Sequence, residues 1–538
     1  MNKDKRVDSV AQTLVRLEEK VDKIMKMLMA CEPGADHNEK IVETIDTVMH
    51  NKDRISELPD AIILQHIFGD LSMKTAVRTS VLSSRWRYLW TSILNLDFDT
   101  EVWNSIPDNS SKGKKQMGEK RKKFADIVDQ FLEQHRGPHL RRLRLYFYPG
   151  DEYCAQTVNW LKLAVKKGVE ELDLDFYMET GKEFDLPEFI LECRSILSLK
   201  LTYCNLKAPP KQKGLNFLKS LYLKQVKISD DLVELLLSHC QQLENLYLIG
   251  CGKLQHIRIS SPAQKLKKLK AVNLSDLESM EIDASTLITL LYSGHHIHFH
   301  LKNIAGLQWA RLDTTGEKDR KVTIHEDPRL VLSKFSHVKT LHLSAYFFQV
   351  VFAGSLIYPD LPTAVKLRNL IELQLSIEVI RGQNVTAITY LLSMCPILEK
   401  LFVDVTDPHR NYRPTDPWVY ELMNSQEEID VFECALDHLK IVEFRGFTAT
   451  MCEFILVRII LSIGLLLESL VLIHPSDYKM DHILENLLWA LDLKYESTGI
   501  GIPPSELTKF LSIFSKASPK PHIRLLPEAP SCRFIFDV

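Results

Sequence analysis

The chain has 538 residues, with 45% hydrophobic and 25% charged residues, a composition typical of a folded globular protein but too long for one ordinary core. Its net charge of -3 gives no long-range field that would favour nucleic acid or an anionic membrane. The ten cysteines include no C-x-x-C pair, which argues against a zinc ribbon, and the first residues contain no apolar secretory core. We therefore expect several domains or a repeat array in the cytoplasm, the nucleus or both.

An amphipathic helix is predicted within residues 1–32. Its apolar residues repeat at a 3-4 spacing: Val7, Val10, Leu14, Leu17, Val21, Ile24 and Leu28. About three heptads are marginal alone in water, so this seam needs a partner. Either it folds back on its own chain, or residues 7–28 form a coiled coil with a second copy. Residues 33–50 are predicted as a linker.

A compact helical module is predicted from the stretch "LPDAIILQHIFGDLSMKTAVRTSVLSSRWRYLW", Leu58–Trp90. Pro59 suits the first turn of a helix, and Leu64 and Ile67 lie on its apolar stripe. A second helix begins near Thr75, and a third segment carries the Trp and Arg residues that often anchor interfaces. Three short helices bury little on their own, so the module would benefit from a partner.

Residues 99–136 are predicted as a basic linker. They contain "SSKGKKQMGEKRKK", Ser110–Lys123, which is polar, basic and includes glycine. Such a stretch is typical of a solvated connection, and the alternative is a nuclear-import signal.

From Leu140 onward an apolar residue is followed by another three positions later and a third two further on. The pattern occurs as LRRLRL at 140, VEELDL at 169, ILSLKL at 196, LKSLYL at 218, LENLYL at 243, LKAVNL at 269, VKTLHL at 338, LIELQL at 370, LEKLFV at 398, LKIVEF at 439 and LESLVL at 467, with weaker copies at 277 and 287. The last two apolar positions share one face of a short strand. Stacked parallel strands would bury that face, as in a leucine-rich-repeat solenoid over residues 137–425.

The residues between the paired apolar positions should point out of the concave face. They are Arg144, Asp173, Lys200, Tyr222, Tyr247, Asn273, His342, Gln374, Phe402 and Glu443. Exposed aromatics on rigid strands suit protein binding, although tyrosine is also tolerated on any strand. The candidate protein-binding residues are Lys200, Tyr222, Tyr247, Asn273, His342 and Phe402, with Tyr222 and Tyr247 on adjacent repeats.

Two apolar features are predicted to belong to the core. Phe454–Ile473 has the length of a membrane span, but Arg458 and Glu468 lie inside it, so a buried helix and a strand ending at Leu472 are expected. The cysteines at a fixed repeat position are expected to be buried packing groups: Cys193, Cys240 and Cys395.

One histidine cluster, "SGHHIHFHLKN", resembles a metal site in composition. It contains His295, His296, His298 and His300, but Ile297, Phe299 and Leu301 alternate with the histidines as in a half-buried strand. We expect no metal or cofactor, and no catalytic signature is present.

Residues 53–99 resemble the F-box of plant F-box/leucine-rich-repeat proteins, through LP, a helical I/L pattern and "AVRTSVLSSRWRYLW" at fixed offsets. The stretches "CALDHLKIVEFRGF" (434–447), "LLLESLVLI" (465–473) and "FSKASPKPHIRLL" (514–526) resemble the family's FBD region. The resemblance covers residues 51–526 and implies an F-box at 51–98 and an FBD-like region at 426–538. The expected fold class is α/β, an α+β solenoid: a heptad helix, a three-helix F-box, irregular repeats with parallel strands, and an FBD-like region that continues them.

The resemblance implies a non-catalytic subunit of an SCF-type ubiquitin ligase. Its F-box would bind a Skp-type adaptor, and through it a cullin-RING ligase, while the repeats bind a protein substrate. The adaptor-contact or supporting positions that match are Leu58, Pro59, Leu64, Ile67, Val77, Ser80, Val81, Leu82 and Trp86. The sequence departs from the family at Gly69, Asp70 and Ser72. The alternative is a scaffold outside any ligase, with a degenerate F-box and self-association through the N-terminal helix.

Overall fold

A computed structural model describes residues 58–105, 114–176, 182–207, 214–260, 265–315, 332–344, 366–407, 436–475 and 521–527. These residues form two compact units: the first contains those up to Ile228 together with Leu235–Leu243, and the second contains Ser229–Glu234 and those from Glu244 onward. The predicted heptad helix at 7–28 and the linker at 33–50 lie outside the described residues.

The first unit opens with the predicted three-segment helical module. Its segments are α1 (Asp60–Ile62) continued by a π-helical turn (Ile63–Ile67) and a 3-10 turn (Phe68–Asp70), α2 (Met73–Arg78) continued by a 3-10 turn (Thr79–Val81), and α3 (Trp86–Leu89) continued by a 3-10 turn (Trp90–Ser92). Ser72 begins α2, because its Oγ accepts a hydrogen bond from the Thr75 N–H at 3.3 Å. Ile63, Ile67, Phe68 and Trp86 are buried and form the module's core.

The prediction of a basic linker at residues 99–136 is wrong for much of that range. The chain forms β1 (Asn95–Phe98), α4 (Thr100–Ser105) and α5 (Lys114–Gln134). Phe124 and Val128, one helical turn apart on α5, are completely buried, and the Phe131 ring lies 5.7 Å from the Phe98 ring. The basic residues from Lys114 to Lys123 belong to the start of this helix, whose apolar stripe begins at Phe124.

The sheet of the first unit is parallel and consists of β1 followed by four repeat strands. These are β2 (Arg142–Tyr146), β3 (Glu171–Asp175), β5 (Ser198–Thr202) and β7 (Ser220–Lys224), each paired with the one before it. The other elements are α6 (Cys154–Lys166), β4 (Phe184–Asp185), α7 (Glu188–Leu191) and β6 (Cys204–Asn205), with β4 and β6 paired. In every repeat strand two leucines two positions apart are buried, as the spacing predicts.

The second unit repeats this arrangement after α8 (Asp230–His239). Its parallel sheet runs in the order β8 (Asn245–Ile249), β10 (Lys268–Val272), β12 (Thr289–His295), β14 (Trp309–Thr315), β15 (Thr340–Ser344), β16 (Glu372–Ile377), β17 (Lys400–Val405), β18 (Ile441–Arg445), β19 (Ser469–His474) and β20 (His522–Pro527). A second parallel sheet is formed by β9 (His256–Ser260), β11 (Ser279–Asp283) and β13 (His298–Lys302). The helices of this part are α9 (Gly382–Ser393) and α10 (Met451–Ile463). Together these elements are a leucine-rich-repeat solenoid after an N-terminal helical region, as expected.

One repeat is displaced from its predicted register. The sequence "LKKLKAVNL" fits the repeat pattern twice, beginning at Leu266 or at Leu269, and the structure uses the first frame. Leu269 therefore pairs with Leu246 and Leu290 inside the sheet. Asn273 follows the strand, is exposed and has a φ of 52°, so the prediction that it points out of the sheet face is wrong.

The two apolar features take the predicted positions in the core. Phe454–Ile473 is divided between α10 and β19, and among the described residues no helix is long and apolar enough to span a bilayer. The three repeat cysteines are buried, and burial raises the pKa of Cys240 to about 12. A thiol with so high a pKa is a poor nucleophile, which agrees with a packing role.

The histidine-rich stretch forms the predicted half-buried strand. On β13, Phe299 and Leu301 are buried, while His298 is half-buried and His300 is exposed. Among the described residues no group of three or more His, Cys, Asp or Glu side chains is arranged to hold a metal ion.

Candidate adaptor-binding and substrate-binding surfaces

Two of the predicted adaptor positions support the helical module from inside. Ile67 is fully buried and Trp86 is 2% exposed, with the Trp86 ring 5.6 Å from the Phe68 ring. These side chains hold α1 against α3. Their position makes them supporting residues, since a buried ring offers no surface to a partner.

A salt bridge that the sequence did not predict fixes the Leu-Pro-Asp start of the module. Arg85 Nε donates a hydrogen bond to Asp60 Oδ1 at 2.8 Å, and the same guanidinium donates to Asp60 and to the Leu58 carbonyl oxygen. Arg85 thereby joins the first segment to the third through charge-assisted bonds. Arg85 stands in the motif "SSRWRYLW", but the motif does not indicate its partners, because they lie 25 and 27 residues away in the sequence.

The surface of the module carries exposed apolar side chains. Val81, a predicted contact, is 70% exposed, and Tyr88, which the sequence analysis missed, is 57% exposed. The Arg136 guanidinium lies 5.7 Å from the centre of the Tyr88 ring, in cation–π geometry. The other predicted positions are half-buried except for Pro59, which is exposed: Leu58, Leu64, Val77, Ser80 and Leu82.

The departures from the family pattern are accommodated locally. Ser72 is the N-cap of α2. The Gly69 carbonyl oxygen accepts a hydrogen bond from Asn95 Nδ2 at 3.4 Å, and a Cβ at Gly69 would meet nothing within 4 Å. Both residues therefore fit the helical module without strain.

On the first unit's sheet, the side chains opposite the buried leucines form what we call the outward face. Its central row contains Asp97, Arg144, Asp173, Lys200 and Tyr222, in register across five strands. Asp173 Oδ2 accepts from Arg144 Nε at 3.1 Å and from Lys200 Nζ at 3.3 Å. The Lys200 ammonium also lies 5.1 Å from the centre of the Tyr222 ring. Burial raises the pKa of Asp97, although Arg144 and Arg142 oppose that rise.

The second unit's sheet has an outward face of the same construction. Its central row contains Tyr247, Lys270, Leu291, Arg311, His342, Gln374, Phe402, Glu443, Val471 and Arg524. The predicted Tyr247, His342 and Phe402 lie in this row. Lys270 takes the place predicted for Asn273. Tyr222 and Tyr247 belong to different compact units.

His342 points to the outward face but is only 6% exposed. Its Nε2 lies 2.8 Å from Ser376 Oγ, and burial, with the nearby Arg311 charge, lowers its pKa to about 3. The imidazole is therefore neutral and already hydrogen-bonded. It contributes more to the stability of the face than to contact with a partner.

Comparison with known proteins agrees with this architecture. The family model described as the At1g61320/AtMIF1 LRR domain matches residues 131–485, and the F-box domain model matches residues 55–97. The Arabidopsis thaliana F-box/FBD/LRR-repeat protein At2g26030 is 26% identical over 504 residues, 87% of this chain and 98% of that protein. At1g13570 is 24% identical over 460 residues, 81% and 95% of the two chains, and At3g52680 is 35% identical over 205 residues, 37% and 41%. The chain belongs to the F-box/FBD/leucine-rich-repeat protein family.

Proposed function

We propose that this F-box protein is the substrate-recognition subunit of an SCF-type ubiquitin ligase. The F-box would bind a Skp-type adaptor, and the outward faces of the repeat strands would hold a protein substrate. The presence of an F-box and leucine-rich repeats in one chain supports this division of roles. The chain itself would form and break no bond. It would act by raising the effective concentration of the substrate beside the conjugating enzyme.

One observation carries the adaptor half of the proposal. The core of the helical module is complete with Ile63, Ile67, Phe68 and Trp86, yet Val81 stays 70% exposed. An apolar side chain that stays exposed in the folded protein adds no burial of apolar surface to the free energy of folding. A partner that covers it gains that burial, and Tyr88 adds an amphipathic ring suited to an interface.

Co-purification of the full chain with a Skp-type adaptor tests this proposal. We expect wild type to retain the adaptor and Val81→Asp to lose it, because the new carboxylate would be desolvated at the interface. Phe217→Asp is the matched control, since Phe217 is 56% exposed in the repeats and should keep the adaptor. Failure of wild type to retain any Skp-type adaptor would refute the ligase proposal.

Two further parts of the proposal concern the cell and the assembly. We place the protein in the cytoplasm, the nucleus or both, where SCF-type ligases would meet it. Self-association through residues 7–28 remains a proposal based on their heptad spacing. Light scattering on the full chain and on a Leu14→Lys/Leu17→Lys variant tests it, with a fall in molar mass expected for the variant.

A further inference from the structure

We propose that β8, β10, β12 and β14 form a docking surface for an acidic segment of a partner protein. Lys268 and Lys270, beside Arg311, would bind its carboxylates, while Tyr247 and Trp309 would pack on its apolar side chains. This inference rests on the proposed function, because it names the chemistry of the substrate that the repeats would hold.

The strand register brings these five side chains to one face. Lys268 pairs across the sheet with Thr289 and then with Trp309, in one row. The adjacent row runs through Tyr247, Lys270, Leu291 and Arg311. Neighbouring strands are about 4.8 Å apart, and residues two apart on a strand are about 6.7 Å apart, so the five lie within one short stretch of sheet.

The charge on this stretch is unbalanced, unlike the rest of the outward faces. Among the described residues its bases are Lys268, Lys270 and Arg311, and its single acid is Asp313, which lies 3.3 Å from the Arg311 guanidinium. Neither lysine has a carboxylate partner within the described part of the chain. Two positive charges are therefore available to a ligand.

The remaining outward rows are neutral. In the first unit the four acids Asp97, Glu171, Asp173 and Asp175 match the four bases Arg142, Arg144, Lys200 and Lys224. Along β15–β20 the three acids Glu372, Asp404 and Glu443 match the three bases Lys400, Arg445 and Arg524. The excess of positive charge is thus confined to β8–β14 and is not a general property of a chain whose net charge is -3.

The aromatic side chains make a protein segment the favoured occupant. Tyr247 and Trp309 are half-buried and stand on either side of the basic residues, at the first and last of the four strands. Tyr, Trp and Arg are the residue types most enriched at protein-binding hot spots. Complementary charge then selects an acidic segment over a basic one and accelerates its association.

Binding of a fluorescein-labelled peptide of alternating glutamate and leucine to the full chain, followed by anisotropy, tests the inference. We expect Lys268→Glu/Lys270→Glu to raise the Kd about tenfold, and added salt to raise the wild-type Kd, because salt screens the attraction between opposite charges. The control Lys162→Glu/Lys166→Glu makes the same charge change on two exposed lysines of α6 and should leave the Kd unchanged. Tyr247→Ala/Trp309→Ala should raise the Kd without changing its salt dependence.

The inference would be overturned by no binding of the acidic peptide, by equal binding of the matching lysine–leucine peptide, or by equal weakening by the control variant. Tighter binding of single-stranded oligothymidylate through the same two lysines would reassign the surface to nucleic acid. Adaptor co-purification is measured on the same proteins, so that loss of the adaptor with retained peptide binding refutes only the ligase proposal.

Discussion

The F-box and the repeats distribute their side chains in opposite ways. The F-box surrounds a small core with exposed apolar groups, and Val81 and Tyr88 are more than half exposed. The repeats bury leucines such as Leu174 and Leu248 completely and turn polar or charged residues outward. The F-box would therefore bind a partner mainly by burial of apolar surface, and the repeats mainly by complementary charge with aromatic contacts.

This difference also predicts how each contact responds to salt. Apolar burial is insensitive to moderate ionic strength, whereas contacts between exposed charges are screened over a Debye length of about 8 Å at physiological salt. The adaptor complex should thus persist under conditions that release an acidic ligand from the repeats. In each region, substitutions of buried residues should affect stability more than substitutions of exposed ones.

Removal of the aromatic core of the F-box should have the largest effect on stability. Trp86→Ala leaves a cavity beside Phe68, so we expect a loss of about 3–5 kcal/mol in the free energy of unfolding of the F-box. Hydrogen exchange should show lost protection in Asp60–Ser92, with the second unit's strands unchanged. Tyr88→Ala, on the exposed side of the same helix, should cost less than about 0.5 kcal/mol.

Glu453 is an exception to the rule that the repeats turn charges outward. It is 2% exposed at the start of α10, where its carboxylate accepts hydrogen bonds from the Thr448 and Thr450 N–H groups at 3.0 Å. Burial outweighs these bonds and raises its pKa from 4.5 to about 7. The folded state then binds more protons than the unfolded state between these values, so stability falls as pH rises from 4.5 to 7.

The variant Glu453→Gln tests this pH dependence. The amide oxygen keeps an acceptor for the two N–H groups but cannot ionise, so the slope due to this residue should vanish. We expect the variant to gain on the order of 3 kcal/mol relative to wild type at pH 7 and above, and little at pH 4.5. Urea unfolding at both ends of the window measures it, and a pH-independent difference would contradict the prediction.

His342 should give the opposite slope in the same unit. Its folded pKa of about 3 lies below the ordinary value of 6.5, so the unfolded state binds more protons between them. Stability is therefore lost as pH falls below 6.5, by about 2 kcal/mol at pH 5. His342→Gln should remove this loss, and between pH 4.5 and 6.5 each single variant should reveal the slope of the other residue. Parallel curves for both variants would contradict the assignment.

The sequence predicted the order of the repeats because the two-residue spacing of apolar positions is a local property of strands. The two frames of "LKKLKAVNL" cannot be distinguished by this spacing, since both place apolar residues two apart. The pairing of Leu269 with Leu246 and Leu290 identifies the correct frame. The second frame puts Asn273 on the outward face of the sheet, where the structure has Lys270. Similarly, periodicity placed His342 outward but carries no information on how far an outward residue is covered.

The F-box shows the same limit on a smaller scale. Its core positions follow from helical spacing, but the exposure of Tyr88 and the bonds of Arg85 to Leu58 and Asp60 depend on how three short segments pack. In α5, the run of lysines and arginines hides the helical stripe that begins at Phe124. Charge density and helix formation are independent, so a basic stretch alone does not indicate a linker.

The smallest effect is expected from the paired charges of the first unit. Asp173 accepts hydrogen bonds from Arg144 and Lys200, and its side chain is 14% exposed. Asp173→Asn should lower the free energy of unfolding by less than about 1 kcal/mol, because partly exposed ion pairs gain little over hydration. A double-mutant cycle with Arg144→Met isolates the coupling, which should shrink in high salt.

Asp173→Asn also leaves Lys200 and Arg144 without their shared carboxylate. Binding of the glutamate–leucine peptide should therefore strengthen if ion pairing is what prevents this face from binding acidic segments. Unchanged peptide binding would show that the shape of β8–β14, rather than its unpaired charge, distinguishes the two faces.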